Sequence, residues 1–404
     1  MGAVRARFVG ARVPLRTTVL GAAALGLAPL TIGLTRFGYA VLLPAMRTDL
    51  HWTFAQAGAL NTGNGVGYLA GALVAPVLAR RLGERRLFLL AFAVTAAALA
   101  ASAGTAGYAD LLALRALTGV TAAVLYVVGA AMATRLAHDS PSPALVLGVY
   151  FAGVGPGILV SSALAPVVLR EAAGWRLAWL VMAIATAAAM AASAGASPRP
   201  ATPVVPAPGG VRLGTIRWAV LAFTLYGLGY SGYATFIVAF YAAAGRGPFT
   251  LGLFWGCLAV AASASAFAWR PALDRWPGGG GLALTLLVVS LGSALPLLST
   301  DTGLMFASAA LFGGAFLAVS TAFAQIVRRA LPADRWTAAM GAATALFAVG
   351  QAVGPSLVGV LADRAGGLGV GLTASAGCLA AGTVLALCQR RPRLRGQEGA
   401  RSGG

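Results

Sequence analysis

A helix needs about 20 predominantly apolar residues to cross the hydrocarbon core of a bilayer, and this chain consists of twelve such runs laid end to end. Cut at its charge clusters and Pro/Gly breaks, the sequence gives runs near 19–44, 54–79, 87–107, 109–135, 144–169 and 175–195. A second set follows near 215–243, 250–270, 280–299, 302–328, 338–363 and 368–389. Of the 404 residues, 59% are hydrophobic and 10% charged, too few polar side chains to cover a water-soluble surface. The expected fold is therefore an all-α membrane protein of twelve transmembrane helices. The first run follows Arg5, Arg7, Arg12 and Arg16 but is too long for a signal-peptide core, so it reads as a helix that stays. Cys257, Cys378 and Cys388 all lie inside apolar segments without metal-ligand spacing and read as small hydrophobes.

The net charge of +19 does not mark a nucleic-acid partner, because the arginines sit in short clusters between apolar runs rather than on one soluble face. Their distribution reports orientation instead. With an even number of spans both termini share a side, and that side collects twenty-two arginines, among them Arg80, Arg81, Arg85, Arg86 and Arg135. The opposite side has five: Arg47, Arg170, Arg176, Arg246 and Arg364. Arginine excess marks the cytoplasmic face, so both termini are expected in the cytoplasm and the protein in the inner or plasma membrane. Ser197-Pro198-Arg199-Pro200, continuing through Pro203, Pro206 and Pro208, favours extended backbone and reads as a linker. The expected organisation is an N-terminal six-helix bundle over 1–195, a Pro-rich cytoplasmic linker over 196–214, and a C-terminal six-helix bundle with a short basic tail over 215–404.

The two halves repeat at a constant offset. Gly33-Leu34-Thr35-Arg36-Phe37-Gly38-Tyr39-Ala40 aligns with Gly227-Leu228-Gly229-Tyr230-Ser231-Gly232-Tyr233-Ala234, with five of eight positions identical at an offset of 194. The same offset pairs Arg81 with Arg275, Leu117 with Leu311, Gly119 with Gly313 and Arg135 with Arg329. Two related six-helix halves are a recurrent transporter plan, with the substrate site between them near the midplane.

Several local patterns bear on the family. Leu114-Arg115-Ala116-Leu117-Thr118-Gly119 places an Arg four residues before a Gly, Gly153-Val154-Gly155-Pro156-Gly157 has a counterpart in Gly354-Pro355, and Gly174-Trp175-Arg176-Leu177-Ala178-Trp179 opens the sixth run. On these the chain resembles the major facilitator superfamily over essentially its whole length. With Arg36-Phe37-Gly38-Tyr39 leading to Leu43-Pro44-Ala45-Met46, it is most similar to the bacterial YbfB/YjiJ-type transporters. The resemblance implies two pseudo-symmetric six-helix bundles with helices 1, 4, 7 and 10 lining a central cavity. It also implies a gating loop after helix 2 of the form Gly-x-Leu-Ala-Asp-Arg-x-Gly-Arg-Lys. Here that loop reads Pro76-Val77-Leu78-Ala79-Arg80-Arg81-Leu82-Gly83-Glu84-Arg85, with Arg80 in place of the acid, whereas Asp274-Arg275 keeps it in the second half. Arg81, Asp274 and Arg275 are thus gating candidates, with the acid of the latch absent on the N-terminal side.

Ionisable groups inside a membrane are costly and are functional candidates by default. Arg36 lies eight residues before Pro44, hence about 12 Å inside the outer boundary, and Arg115 six residues into its run, at about 9 Å. One reading is an anion site, since guanidinium matches a carboxylate bidentately. The other is a brace in which one Arg, Arg115 for preference, bonds backbone carbonyls. Tyr226, Tyr230 and Tyr233, at spacings of four and three, share a helical face and read either as a cavity wall or as packing. Asn61, Asn64 and Tyr68 form a similar face that reads mainly as interhelical glue, although Asn64 stays a binding candidate. Tyr126, Phe312, Phe316 and Gln325 complete the cavity candidates. Gly65-Val66-Gly67-Tyr68-Leu69-Ala70 imitates a dinucleotide fingerprint but sits mid-span without a strand, so Gly63, Gly67 and Gly71 read as close helix packing.

No metal cluster, catalytic triad or nucleotide-binding loop is legible, so neither cofactor nor enzyme activity is expected. Of the acids only Asp110 falls within a run, near its end, which makes it the candidate for proton coupling; otherwise the protein is an exchanger or uniporter. The expected function is a secondary transporter, working as a monomer in membrane lipid, for a small organic anion or an amphipathic metabolite or drug. A receptor or assembly scaffold is the alternative, disfavoured by the lack of a long loop or soluble domain. Reporters fused at Arg85 and at Tyr108 are expected on opposite faces of the bilayer; finding both on one face would refute the span count.

Overall fold

The computed structural model of the chain describes residues 14–138, 140–170, 174–195, 213–276, 278–332 and 335–389. Among the described residues twelve helices are long and apolar enough to span a membrane. The first six are α1 (Leu15–Asp49), α2 (Phe54–Leu82), α3 (Glu84–Gly104), α4 (Tyr108–His138), α5 (Leu145–Val168) and α6 (Gly174–Ala194). The second six are α7 (Leu213–Ala243), α8 (Pro248–Ser265), α9 (Gly280–Leu298), α10 (Thr302–Ala330), α11 (Ala338–Arg364) and α12 (Leu368–Leu387). Most of the Pro-rich linker and the basic tail lie outside the described residues.

The helices pack as two six-helix bundles of the same plan. In the first, α2 packs on α4, α4 on α3, α3 on α6, and α1 on α5 and α6; in the second, α8 packs on α10, α10 on α9, α9 on α12, and α7 on α11 and α12. The repeat fixes individual contacts as well. Gly119 of α4 presses on the carbonyl of Asn64, and Gly313 of α10, its repeat partner, on the carbonyl of Leu258, the residue equivalent to Asn64. A Cβ at either glycine would collide with that carbonyl. Small residues allow this approach, which supplies the dispersion contact that membrane helices need in place of a hydrophobic drive. Gly67 and Gly71 serve the same α2–α4 seam against Ala116 and Val120.

Two spans are less regular than their apolar patterns suggest. α1 contains a five-residue π-turn, Gly33–Phe37, in which the Gly38 amide bonds back to Gly33. α5 is interrupted at Gly153, between Pro143–Ala152 and Val154–Val168. Pro156 removes the amide that would bond Ala152, and bare Gly153 lies against the Gly26 carbonyl of α1.

The bundles meet through α2 on α11, α5 on α8, and the second half of α1 on α7. The α2–α11 contact lies toward the end of the molecule opposite the chain termini. There Gly58 of α2 faces the Pro355 carbonyl, Gly65 faces Ala352, and Gly359 of α11 faces Phe54. Thr62 Oγ1 donates to the Ala352 carbonyl at 2.5 Å, and Asn61 Nδ2 donates to Thr235 Oγ1 of α7 at 2.6 Å. At the outermost turn the Asp363 carboxylate of α11 accepts the Phe54 and Ala55 amides, at 2.9 and 2.8 Å. These are free donors at the positive end of α2, so a carboxylate from one bundle caps a helix of the other. Asp363→Ala should shift the balance toward opening at this face by about tenfold, the worth of a hydrogen bond to a charged acceptor. The readout is labelling of Thr235→Cys by an impermeant maleimide applied to that face, in a background without the native cysteines. Equal labelling with and without Asp363 would show that the cap does not hold the bundles together.

Candidate functional site

The site is built around a carbonyl that α11 cannot use. Pro355 has no amide hydrogen, so the carbonyl four residues earlier, that of Gln351, has no helical donor. Arg36, buried in the π-turn of α1, reaches across the bundle interface and donates its Nη2 to this carbonyl at 3.4 Å. The π-turn is held by Gly33, which packs on the backbone of Val154, Gly157 and Ile158 in α5 with no room for a side chain. The Gln351 side chain turns to the same guanidinium. Since Arg has only donors, the amide oxygen faces it, accepting from Nη1 and, at 3.0 Å, from Nη2. The Gln351 Nε2 then donates to the Tyr230 hydroxyl at 2.5 Å. Arg36 and Tyr230 hold the same position in the repeat, and both meet Gln351, so three helices of two bundles are joined through one amide.

Aromatic rings surround this chain. Tyr230 lies against Phe316 of α10 at 5.2 Å between centroids, stacks parallel to Phe347 of α11 at 5.8 Å, and stacks on Tyr226 at 5.1 Å. Phe37, next to Arg36, meets Phe316 edge-on at 5.7 Å. The result is one guanidinium at the meeting of two bundles, walled by flat apolar surfaces. Among the described residues the one ion pair is Arg135–Glu84, so the neighbours that accept from Arg36 are neutral.

Arg115 is spent differently. It donates to the Thr35 carbonyl within the π-turn and to Asn61 Oδ1 at 3.0 Å, with its guanidinium over the rings of Tyr39 and Trp179 at 4.7 and 5.7 Å. Every one of these partners lies in the first bundle. Arg115 thus sits as a brace of α4 against α1 and α2, bonded to the π-turn that carries Arg36.

The remaining sequence candidates divide the same way. Asn64 donates to the Arg115 carbonyl at 3.1 Å and to Thr118. The Tyr226 hydroxyl donates to the Phe316 carbonyl at 2.7 Å, and that of Tyr233 pairs with Ser308 at 2.7 Å, so both join α7 to α10 within one bundle. Tyr126 packs on Tyr150 and Phe151 at 6.3 and 5.8 Å and remains half-buried, as does Gln325. Phe312 stacks on Tyr233 at 4.1 Å. Gln351 was missed by the sequence reading, although its signal is there: a polar residue inside a span, four before a proline.

The gating and coupling candidates lie away from this centre. Asp110 is exposed in the first turn of α4 and accepts from Thr105 Oγ1 at 3.1 Å. Arg81 and Arg275 are exposed at helix ends, and the side chain of Asp274 lies outside the described set. Near Arg80, Glu84, opening α3, pairs with Arg135 near the end of α4. Separately, an apolar cavity of about 740 Å³ lies between α5 and α8, lined by Leu159, Pro166, Gly256 and Cys257 among others. Its rim residues Phe249, Leu253 and Val260 are exposed on the spanning surface, and it does not include Arg36.

A family profile described as "Uncharacterised MFS-type transporter YbfB" matches residues 28–387. No curated protein sequence matches the chain. Among solved structures, a single-site mutant of the nucleoside transporter NupG superposes with a TM-score of 0.74 at 14% identity, covering 91% of this chain and 98% of that one. A bacterial homologue of the human lysosomal transporter Spinster, in an inward-facing and occupied conformation, gives a TM-score of 0.74 at 15% identity, covering 93% of this chain and 96% of that one. At such identities the likeness concerns the fold.

Because Arg115 braces α4, Arg115→Leu leaves the Thr35 carbonyl and Asn61 Oδ1 without donors and should cost about 2–4 kcal/mol. Lys cannot reproduce the planar fork and should restore little of it. Thermal unfolding of the detergent-purified protein checks this; a wild-type midpoint for Arg115→Leu would remove the brace.

Proposed function

The chain belongs to the family of YbfB-type transporters of the major facilitator superfamily, and on that footing we propose that it is a secondary transporter carrying a small organic anion with an apolar body. The observation that carries this is Arg36, a guanidinium 6% exposed, placed between the bundles, and held by neutral acceptors alone. A cation in the middle of a span costs about 3 kcal/mol or more. Arg115 has a structural use that offsets such a cost; Arg36, at the bundle interface, has a use if an anion completes it. Phe316, Tyr230 and Phe347 offer flat apolar surfaces beside it, which unites the two substrate classes legible in the sequence as one amphipathic anion. A nucleoside, the cargo named for one structural neighbour, is uncharged and would leave Arg36 uncompensated.

Alternating access fits the way the bundles touch. They are closed by Asp363 and the α2–α11 glycines at the face opposite the termini, and separation there would open the site to the other side. The arginine excess supports the cytoplasm as the face bearing the termini, and the cytoplasmic membrane as the location. With Asp110 exposed and bonded at a helix end, no carboxylate or histidine among the described residues stands beside Arg36, which favours exchange or uniport over proton coupling. Uptake and efflux of a panel of carboxylates and neutral isosteres in vesicles, with and without a proton gradient, tests the reading. Arg36→Ala should cut transport of the accepted anion at limiting concentration about a hundredfold, the worth of a charge-assisted bidentate contact. Undiminished transport by that variant would refute the anion site.

A further inference from the structure

The residue that meets Arg36 is an amide, and an amide oxygen has the shape of half a carboxylate. Gln351 presents its one Oε1 to both Nη1 and Nη2, the two nitrogens on each of which a bidentate carboxylate sets one oxygen. It does so without bringing the negative charge. Gln351 also stands on the opposite bundle from Arg36, so its grip spans the moving interface. Its own backbone carbonyl, freed by Pro355, leans on the same nitrogen.

We propose that Gln351 is a tethered stand-in for the substrate's carboxylate. Its carboxamide oxygen holds Arg36 until an organic monocarboxylate takes over the same two nitrogens, and this exchange unties α11 from α1. The assignment rests on the reading of Arg36 as the anion site and deepens it in two respects. The charge to be matched is one, because Arg115 donates only to partners of its own bundle and only Arg36 reaches the interface. A monoanion therefore neutralises the site, and a dianion would leave a net negative charge in a low-dielectric setting. Displacement also gives substrate a mechanical consequence. The Tyr230 hydroxyl, which accepts from the Gln351 Nε2, becomes free to donate to the carboxylate's second oxygen, so that the anion replaces a link between bundles.

Acetate is the probe, with acetamide as its neutral isostere, because each approximates what Gln351→Ala removes. Thermal unfolding of the detergent-purified full chain is followed for wild type, Gln351→Ala and Gln351→Ala/Arg36→Ala, with chloride holding ionic strength constant. The expected result is a lowered midpoint in Gln351→Ala that acetate raises by about 3 °C or more. Acetamide should raise it less, and acetate should have no effect once Arg36 is removed. Equal rescue by acetamide, equal response without Arg36, or no rescue at all would overturn the stand-in role. Should Gln351→Ala not fold, Gln351→Glu replaces it: its midpoint must exceed that of wild type when Arg36 is present and fall below it when Arg36 is Ala. Failure of the functional reading is separable. If acetate rescues but Arg36→Ala still transports the panel's anion, the transport role of Arg36 falls. If Arg36→Ala loses transport and acetate does nothing, the transport reading stands and Gln351 is not the stand-in.

Discussion

A guanidinium cannot shed its charge in hydrocarbon, so each buried arginine here must be surrounded by acceptors, and the backbone has to supply them. Two departures from regular helix do so. The π-turn Gly33–Phe37 carries Arg36 and presents the Thr35 carbonyl to Arg115. Pro355 leaves the Gln351 carbonyl without a helical donor and so available to Arg36. Both irregularities would be expensive where lipid meets backbone; here they are enclosed by neighbouring helices, the setting in which a membrane tolerates them. Arg115 then fixes α1, α2 and α4 as one body, while Arg36 is left to span the gap between bodies.

The rest of the architecture keeps that gap narrow without fusing it. Within each bundle, glycines at repeat-equivalent positions bring helix backbones together, as at Gly119 and Gly313. Between bundles the same device appears at Gly58, Gly65 and Gly359, and among the described residues the polar links there are few: Thr62, the Asn61–Thr235 pair, the Asp363 cap and the Arg36–Gln351–Tyr230 chain. An interface held by small residues and a handful of hydrogen bonds can open at modest cost, because lipid tails are as apolar as the helix faces they would replace and each polar link is a discrete contact that can be made or broken. Asp363 caps the α2 dipole from outside its own bundle, so the same carboxylate that stabilises a helix end also joins the bundles at that face.

Much of this was legible in the residues, for reasons that can be stated. Span count follows from the hydrocarbon thickness, which sets the length of every apolar run. The repeat follows from one offset that recurs in residues rarely matched by chance, Tyr39 with Tyr233, Arg81 with Arg275 and Arg135 with Arg329, and in space it relates Asn64 to Leu258 beneath matched glycines. The depth of Arg36 and Arg115 follows from helical rise alone. The partners of those arginines did not follow, because a partner is a matter of which faces meet. Tyr226, Tyr230 and Tyr233 form one stripe in sequence, yet neighbouring helices divide them: two bond α10 and one bonds Gln351.

Twelve membrane-spanning runs, two related halves and two arginines within the spans are properties of length, period and composition, and are read along one dimension. Which arginine is a brace and which is unneutralised depends on carbonyls released by a π-turn and a proline and on which faces of the two bundles meet, and so emerges from the folded chain alone. Gln351 belongs to this second kind of knowledge. In the sequence it is one polar residue in an apolar run, and in the fold it is the amide that links Arg36 of one half to Tyr230 of the other.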